Sequence, residues 1–268
     1  MAPYSILITG ANRGIGLGLV KHFLKDKDIH HVIATARDPS KAKELNEITD
    51  KRLTVLKLDV NSDDSIRNLY SQVEKIVGEH GLTVLVNNAG IYLKYHTNQK
   101  PSRADLIKNF DTNAAGVLVL TQTFLPLIRK AAGKVRTDEY SINRAAIINI
   151  SSDLGTISNN TMGSGEIGTL AYRASKNLSN MLRWPGNKVT KHFQSALNSI
   201  TKTMSIDLAP EHILVALLCP GWVKTDMGGP NAQITVEQSM DQLIPSIYKL
   251  KKEHDGGYFN RDLTRIPF

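Results

Sequence analysis

Residues Thr9–Leu19 read TGANRGIGLGL and directly follow the apolar run SILI, Ser5–Ile8. The order is a short strand-like run, a turn holding Gly10, Gly14 and Gly16, and a segment of helical period from Ile15 to Leu24. Glycines in such a turn let the backbone bend tightly and come close to a pyrophosphate. The helix that follows offers free N–H groups and its positive end to the phosphates. A glycine-rich turn alone says little, but its place between a first strand and a first helix points to a dinucleotide site rather than to a purely structural bend.

Working outward from that turn, apolar runs keep alternating with helix-period segments. HVIATA precedes Lys41 to Ile48, LTVLKLDV precedes Ser65 to Val77, and LTVLVNNAG precedes a long helical stretch from Pro101 to Ala131. AAIINISS, ILVALLCPG and a short GGYFN supply the fifth, sixth and last strands. These runs are continuous in Val, Ile and Leu without polar alternation, as strands are when helices cover both faces of a sheet. The expectation is one doubly wound, Rossmann-type α/β domain spanning 1–268 around a mostly parallel seven-stranded sheet. No repeat, low-complexity tract or linker divides the chain. Three irregular stretches stand out: Lys134 to Arg144, Thr156 to Thr169, and Gly228 to Thr235. The last two follow carboxyl ends of strands, where open α/β sheets bind ligands, and the first belongs at the opposite edge.

Bulk properties narrow the function classes. At 268 residues and 41% hydrophobic composition the chain can bury a substantial core. Met1 to Gly10 carries no cationic start with a long apolar run, and no stretch of about 18 apolar residues occurs, so a cytoplasmic protein without a membrane anchor is expected. Cys219, the single cysteine, has no disulfide partner, which suits a reducing compartment. The formal net charge of +8 is spread along the chain rather than gathered in a basic block, so no nucleic-acid partner is expected.

Which dinucleotide binds depends on the end of the second strand, ATARDP. Arg37 there can pair with a ribose 2′-phosphate, with Arg13 of the glycine turn as a second cation, which favours NADP(H). The competing reading makes Arg37 a solvated loop residue and gives the ribose to Asp38. Asp59 and Val60 end the third strand where a carboxylate and a backbone group meet an adenine amine, although Asp59 also suits a helix cap or turn. The turn NNAG, Asn87 to Gly90, brings two amides and two small residues to the same edge.

Thr9-Gly10-x-x-x-Gly14-x-Gly16, Asp59, Asn87-Asn88-Ala89-Gly90, Asn113, Ser151-Ser152, Tyr172-x-x-x-Lys176 and Pro220-Gly221 occur in an order that resembles the short-chain dehydrogenase/reductase family over nearly the whole chain. RAAIINISS, AYRASK and CPGWVKTDMGG look most like its carbonyl-reductase branch, the one with sniffer and the C-factor-like reductases. The resemblance implies NADP(H) bound by Gly10, Asn12, Arg13, Gly14, Ile15 and Gly16, by Arg37, Asp59 and Val60, and by Asn87, Ala89 and Gly90. Val223 and Thr225 after the sixth strand, with Tyr172 and Lys176, complete the cofactor contacts, and Asp226 to Gln242 becomes a substrate lid. It further implies catalysis by Asn113, Ser152, Tyr172 and Lys176 on a small carbonyl compound. Tyr172 would pass a proton to the carbonyl oxygen as hydride reaches carbon. Lys176, one helical turn on, would supply a charge; a cation about 4 Å away at an effective dielectric near 20 is worth roughly 4 kcal/mol, or about three pKa units as a generous bound. Ser152 would hold the substrate oxygen, with Ser158 the weaker candidate because the interval to Tyr172 is unusually long. Asn113 would hold a water beside the lysine, or else be a satisfied amide in a kinked helix. Trp222 and Met227 face substrate or fill the core.

The chain departs from the family directly after Lys176. Trp184-Pro185-Gly186-Asn187 is a poor sequence for continuing a helix. Removing Asn177 to Gln194 restores YRASKSALNSITKTMSIDLAP, with Ala196, Leu197, Ile200, Met204 and Leu208 as one apolar stripe. The 18 residues at 177–194 therefore read as an insert, either a folded arm or translated sequence that is not a selected element. The leading expectation is an NADPH-dependent carbonyl reductase, as a monomer or as the homodimer or homotetramer the resemblance allows. The alternative is a catalytically weak dinucleotide-binding sensor or interaction module.

Overall fold

The computed structural model describes residues 2–158, 160–176 and 196–268. The insert at 177–194 lies outside the described residues. Seven parallel strands form one sheet in the order β3-β2-β1-β4-β5-β6-β7. They are β1 (Ser5–Ile8), β2 (His31–Ala36), β3 (Leu53–Lys57), β4 (Val84–Asn87), β5 (Ala146–Ile150), β6 (Leu214–Cys219) and β7 (Tyr258–Asn260). The helices are α1 (Gly14–Phe23), α2 (Lys43–Asn46), α3 (Asp63–Val77), α4 (Arg103–Phe110), α5 (Gly116–Ala132), α6 (Leu170–Lys176), α7 (Ala196–Asp207) and α8 (Val236–Tyr248).

The unbroken apolar character of the strands has its cause in this layering. Successive strand residues point to opposite faces, so Ile6 and Ile8 pack into one core with Leu17, Val20 and Phe23 of α1 and Met240 and Leu243 of α8. Leu7, between them, packs into the other with Ile66 and Leu69 of α3, Phe124 of α5 and Met204 of α7. All three strand residues are fully buried, which alternation with polar residues would forbid. The stripe expected after the insert is present: Ala196, Leu197, Met204 and Leu208 are buried, and Ile200 packs against the second core.

The order of strands reverses at β1, whose neighbours are β2 on one side and β4 on the other. A crevice opens there at the carboxyl ends, and the glycine turn leads out of it into α1. The helical stretch expected over Pro101 to Ala131 is divided: α4 ends at Phe110, a π turn occupies Asp111–Ala115, and α5 starts at Gly116. π turns inside helices concentrate at functional sites, and this one carries Asn113. Among the described residues no helix is long and apolar enough to cross a membrane.

Candidate active site

The glycine turn is built by close approach. Gly10 has φ +63°, a conformation that side chains rarely adopt, and a Cβ on Gly16 would lie 2.3 Å from the Gly10 carbonyl oxygen. Asn88 secures the turn by donating its side-chain amide to the carbonyls of Thr9 and Gly10, at 2.8 and 3.1 Å. Thr9 answers from the other side, its hydroxyl accepting from the N–H groups of Asn88 and Ala89, both at 2.9 Å. The turns after β1 and β4 are thus tied into one cradle. Thr9 and Asn88, outside the expected binding set, turn out to be its fasteners.

Helix α1 starts without a side-chain cap and without an acid in its first turn. By contrast, α3, α4 and α8 are capped by Ser62, Ser102 and Thr235. The N–H groups at the start of α1 and its positive end therefore point into the crevice unneutralised, as a phosphate site requires. Asn12 and Ile15, half-buried, belong to the same turn. Thr225 closes it from the far side, since its methyl would sit 3.1 Å from a Cβ on Gly14. Val223 is buried and pairs with Ile234, which fixes the start of the loop that continues to Thr235. The expected lid, Asp226 to Gln242, is loop up to Thr235 and then the first turns of α8.

At the end of β2, Arg37 is exposed and has no carboxylate partner among the described residues. Asp38 is already engaged: it accepts from the Ser40 hydroxyl at 2.6 Å and pairs with Lys41 at 3.1 Å. Arg13 forms an exposed ion pair with Asp226. Asp59 receives the N–H of Asn61 at 3.0 Å and so shapes its own turn. The Val60 carbonyl lies only 2.6 Å from where a Cβ on Gly116 would stand, so the start of α5, directly after the π turn, and the loop after β3 touch backbone to backbone. Asn87 faces the other way. Its amide donates to Thr121 at 3.0 Å and to Asn149 at 2.8 Å, inside the sheet.

The second half of the site gathers on α6. Tyr172 and Lys176, four residues apart, are both buried, and Ser152 caps the turn Asp153–Gly155 after β5. Burial pushes the Tyr172 hydroxyl up to about 12, with the Ser152 hydroxyl beside it acting in the opposite direction. Burial brings the Lys176 ammonium down to about 8. Lys176 donates to the Ile150 carbonyl at 3.1 Å and lies 6.0 Å from the centre of the Tyr172 ring. Ser158 is turned away, its hydroxyl donating to the Phe268 carbonyl at 2.9 Å.

Asn113 is a fully satisfied amide. It accepts from the Ile91 N–H and donates to the Ile91 carbonyl and to the Ser175 hydroxyl, each at 2.9 Å. Ser175 in turn donates to the Tyr172 carbonyl at 2.8 Å, so the π turn, the loop after β4 and α6 are locked together. The Tyr92 ring meets Tyr172 edge-on at 5.6 Å, a neighbour no spacing in the sequence reveals. Around the opening, Trp222 and Met227 are about half exposed, so neither fills the core.

Taken together, a phosphate cradle and a buried phenol–hydroxyl pair share one crevice, an arrangement suited to a dinucleotide and a small polar group of a second molecule. A family model described as short chain dehydrogenase matches residues 5–183. Among solved structures the chain is similar to Sniffer of Caenorhabditis elegans, with 45% identity, 100% of both chains covered and a TM-score of 0.88. It is also similar to an NADPH-bound carbonyl reductase from chicken fatty liver, with 32% identity, 100% of this chain and 95% of that one covered, and a TM-score of 0.88. Carbonyl reductase 1 of Rattus norvegicus, which carries NADPH in its name, is 31% identical over 246 residues, 88% of this chain and 87% of its own length.

Proposed function

The chain belongs to the short-chain dehydrogenase family, and from that premise we propose that it reduces a carbonyl group of a small, largely apolar aldehyde, ketone or quinone to an alcohol with NADPH. The observation that carries this reading is the buried Tyr172 hydroxyl beside Ser152, at the carboxyl edge next to the glycine cradle. Bound NADPH supplies a hydride. The cradle of Gly10, Gly14 and Gly16 and the uncapped start of α1 would hold its pyrophosphate, and Arg37, exposed and without a carboxylate partner among the described residues, would take the 2′-phosphate. Asp59 and Val60 lie at the adenine end, Ala89 and Gly90 along its path, and Val223 and Thr225 at the nicotinamide end.

Ser152 donates to the substrate oxygen and orients it toward Tyr172. With its pKa near 12, Tyr172 keeps its proton at neutral pH. Once the carbon of an aldehyde or ketone has gained a hydride, its oxygen is an alkoxide, far more basic than a phenolate, so proton transfer from Tyr172 to that oxygen is downhill and favours the reducing direction. Lys176 keeps a positive charge behind the tyrosine below about pH 8 and favours the phenolate left after transfer. Asn113 holds α6 in place through Ser175. Tyr92, Trp222 and Met227 provide the apolar walls.

The test is NADPH oxidation by the purified full chain with a panel of aldehydes, ketones and quinones, beside Tyr172→Phe. Turnover that disappears in the variant supports the reading. NADPH binding without turnover on any compound of the panel would leave a binding module in place of an enzyme.

A further inference from the structure

The glycine-rich stretch TMGSGEIGT, Thr161–Thr169, leads directly into α6 and ends three positions before Tyr172. It is folded on itself: the Gly165 N–H donates to the Met162 carbonyl at 3.1 Å and the Thr169 N–H to the Ser164 carbonyl at 2.8 Å. The loop after β4 clasps one edge of it. The Tyr95 N–H donates to the Gly168 carbonyl at 2.7 Å, and the Leu170 N–H donates to the Tyr95 carbonyl at 3.1 Å. A Cβ on Gly168 would lie 2.6 Å from His96 Nε2, so the clasp closes only on a glycine. The outer side of the loop is open and apolar, with Met162 65% and Ile167 49% exposed.

Tyr92 is the point where this clasp meets the catalytic helix. Its hydroxyl donates to the Ile167 carbonyl, and its ring meets the Tyr172 ring edge-on, with centres 5.6 Å apart and planes at 88°. Burial pushes the Tyr92 hydroxyl above the ordinary tyrosine range, so the donated proton stays in place through neutral pH. The backbone on either side is pinned. Ile91 is bonded to the Asn113 amide through both its N–H and its carbonyl, and the Leu93 N–H donates to Asn109 Oδ1 of α4 at 3.4 Å. One side chain, fixed from the π turn, thus carries a contact to the reacting phenol and a contact to the loop. On that face of the Tyr172 ring the first layer is Tyr92 and the second is the backbone of Ile167, so a substituent on that side would have to take the place of one of them.

The two contacts divide between the two parts of the side chain. The ring steadies Tyr172 whether or not it carries a hydroxyl, whereas only the hydroxyl reaches Ile167. We propose that Tyr92 determines the substrate size of this site: its ring keeps the Tyr172 phenol in position, and its hydroxyl latches Thr161–Thr169 beside it, so that carbonyl compounds of one ring or a short chain are reduced and those with a second ring are rejected. This role presupposes the carbonyl-reductase reading. With the latch released, Met162 and Ile167 become the apolar lining that a second ring meets.

Two measurements on the full chain test it. The first compares NADPH-dependent rates on benzaldehyde with para-phenylbenzaldehyde, and on para-benzoquinone with phenyl-para-benzoquinone, for the parent, Tyr92→Phe and Tyr92→Leu. Tyr92→Phe, which loses only the latch, raises kcat/KM for the two-ring compound relative to its one-ring partner by about tenfold or more through KM, the range over which pocket space discriminates substrates. Tyr92→Leu makes the same gain and also lowers kcat on the one-ring compound by about tenfold or more, because the phenol is no longer steadied. Tyr92→Phe recovers that kcat. The second measurement is amide hydrogen exchange without substrate, in which Tyr92→Phe speeds exchange at Gly165, Thr169 and Leu170 by about threefold or more. An unchanged preference in Tyr92→Phe, a full kcat in Tyr92→Leu, or unchanged exchange in the loop overturns the role of Tyr92 in a chain that still reduces carbonyl compounds. Absence of turnover by the parent on the whole panel overturns the carbonyl-reductase reading instead, and the exchange rates then decide whether the latch exists.

Discussion

Lys176 stands 6.0 Å from the centre of the Tyr172 ring while its ammonium is anchored on the Ile150 carbonyl, and both groups are buried on one short helix. Burial is the leading cause of both displaced pKa values, up to about 12 for Tyr172 and down to about 8 for Lys176. The charge of Lys176 is therefore present at pH 7 and lost as pH rises through about 8. The expected result is a kcat/KM for reduction that falls above about pH 8, with Lys176→Arg keeping the charge and moving that limb upward. A profile flat to about pH 10 would exclude a role for the ammonium. Stability moves the other way. The folded lysine releases its proton below its ordinary 10.5, so its contribution to stability rises with pH between about 8 and 10.

Two serines, Ser152 and Ser158, are the candidates for the proposed contact with the substrate oxygen, and they separate by geometry. Ser152 lies beside Tyr172, whereas the Ser158 hydroxyl is bonded to the Phe268 carbonyl. Ser152→Ala should lower kcat by about 10²-fold or more, the range for removing one preorganised donor. Ser158→Ala should leave kcat within about twofold of the parent, well short of any such loss. Steady-state rates on the best substrate of the panel check both, and a large loss in Ser158→Ala would reverse the assignment.

Among the described residues Arg37, at the end of β2, has no carboxylate partner, while Asp38 is held by Ser40 and Lys41. Arg37→Ala should weaken NADPH binding by about 10- to 100-fold, the worth of a charge-assisted contact, and leave NADH binding nearly unchanged. Arg13 shares its charge with Asp226 in an exposed pair of small worth. Its removal should therefore cost less than that of Arg37, and Asp226→Asn should tighten NADPH binding. Fluorescence titration with both cofactors measures these differences. Equal losses for NADPH and NADH in Arg37→Ala would remove the 2′-phosphate contact.

Local spacing made much of this legible. A spacing of four from Tyr172 to Lys176 dictates one helical face, and strands without polar alternation dictate a sheet covered on both sides. The Lys134 to Arg144 stretch was placeable at the far edge because it precedes a strand. What spacing cannot show is which distant side chains meet. Arg13 and Asp226 are 213 positions apart, and Tyr92 reaches Tyr172 only through the fold. The division between α4 and α5 is only partly legible: a kink at Asn113 is among the readings the sequence allows, but the π turn at Asp111–Ala115 contains no proline or glycine of its own, and the single Gly116 after it does not fix where the winding changes.

Asn87 shows the same limit most sharply, because a polar residue at a carboxyl edge looks like a ligand contact. It sits in register with Asn149 on the adjacent strand, and Asn149 passes the network on to Thr201 at 2.7 Å. The amide nitrogen of Asn87 thus joins β4 to β5 and to Thr121 of α5. Asn87→Ala should lower stability by about 1 to 3 kcal/mol through the two acceptors, Thr121 Oγ1 and Asn149 Oδ1, that lose their donor in the core. For a chain of this size that is a fall in Tm of about 2 to 4 °C per kcal/mol. NADPH affinity should stay within about threefold, less than one net hydrogen bond is worth. Thermal unfolding and cofactor titration on the same variant decide between the roles: a large loss of affinity at unchanged Tm would mean that the amide turns toward the crevice and that the core network is not its function.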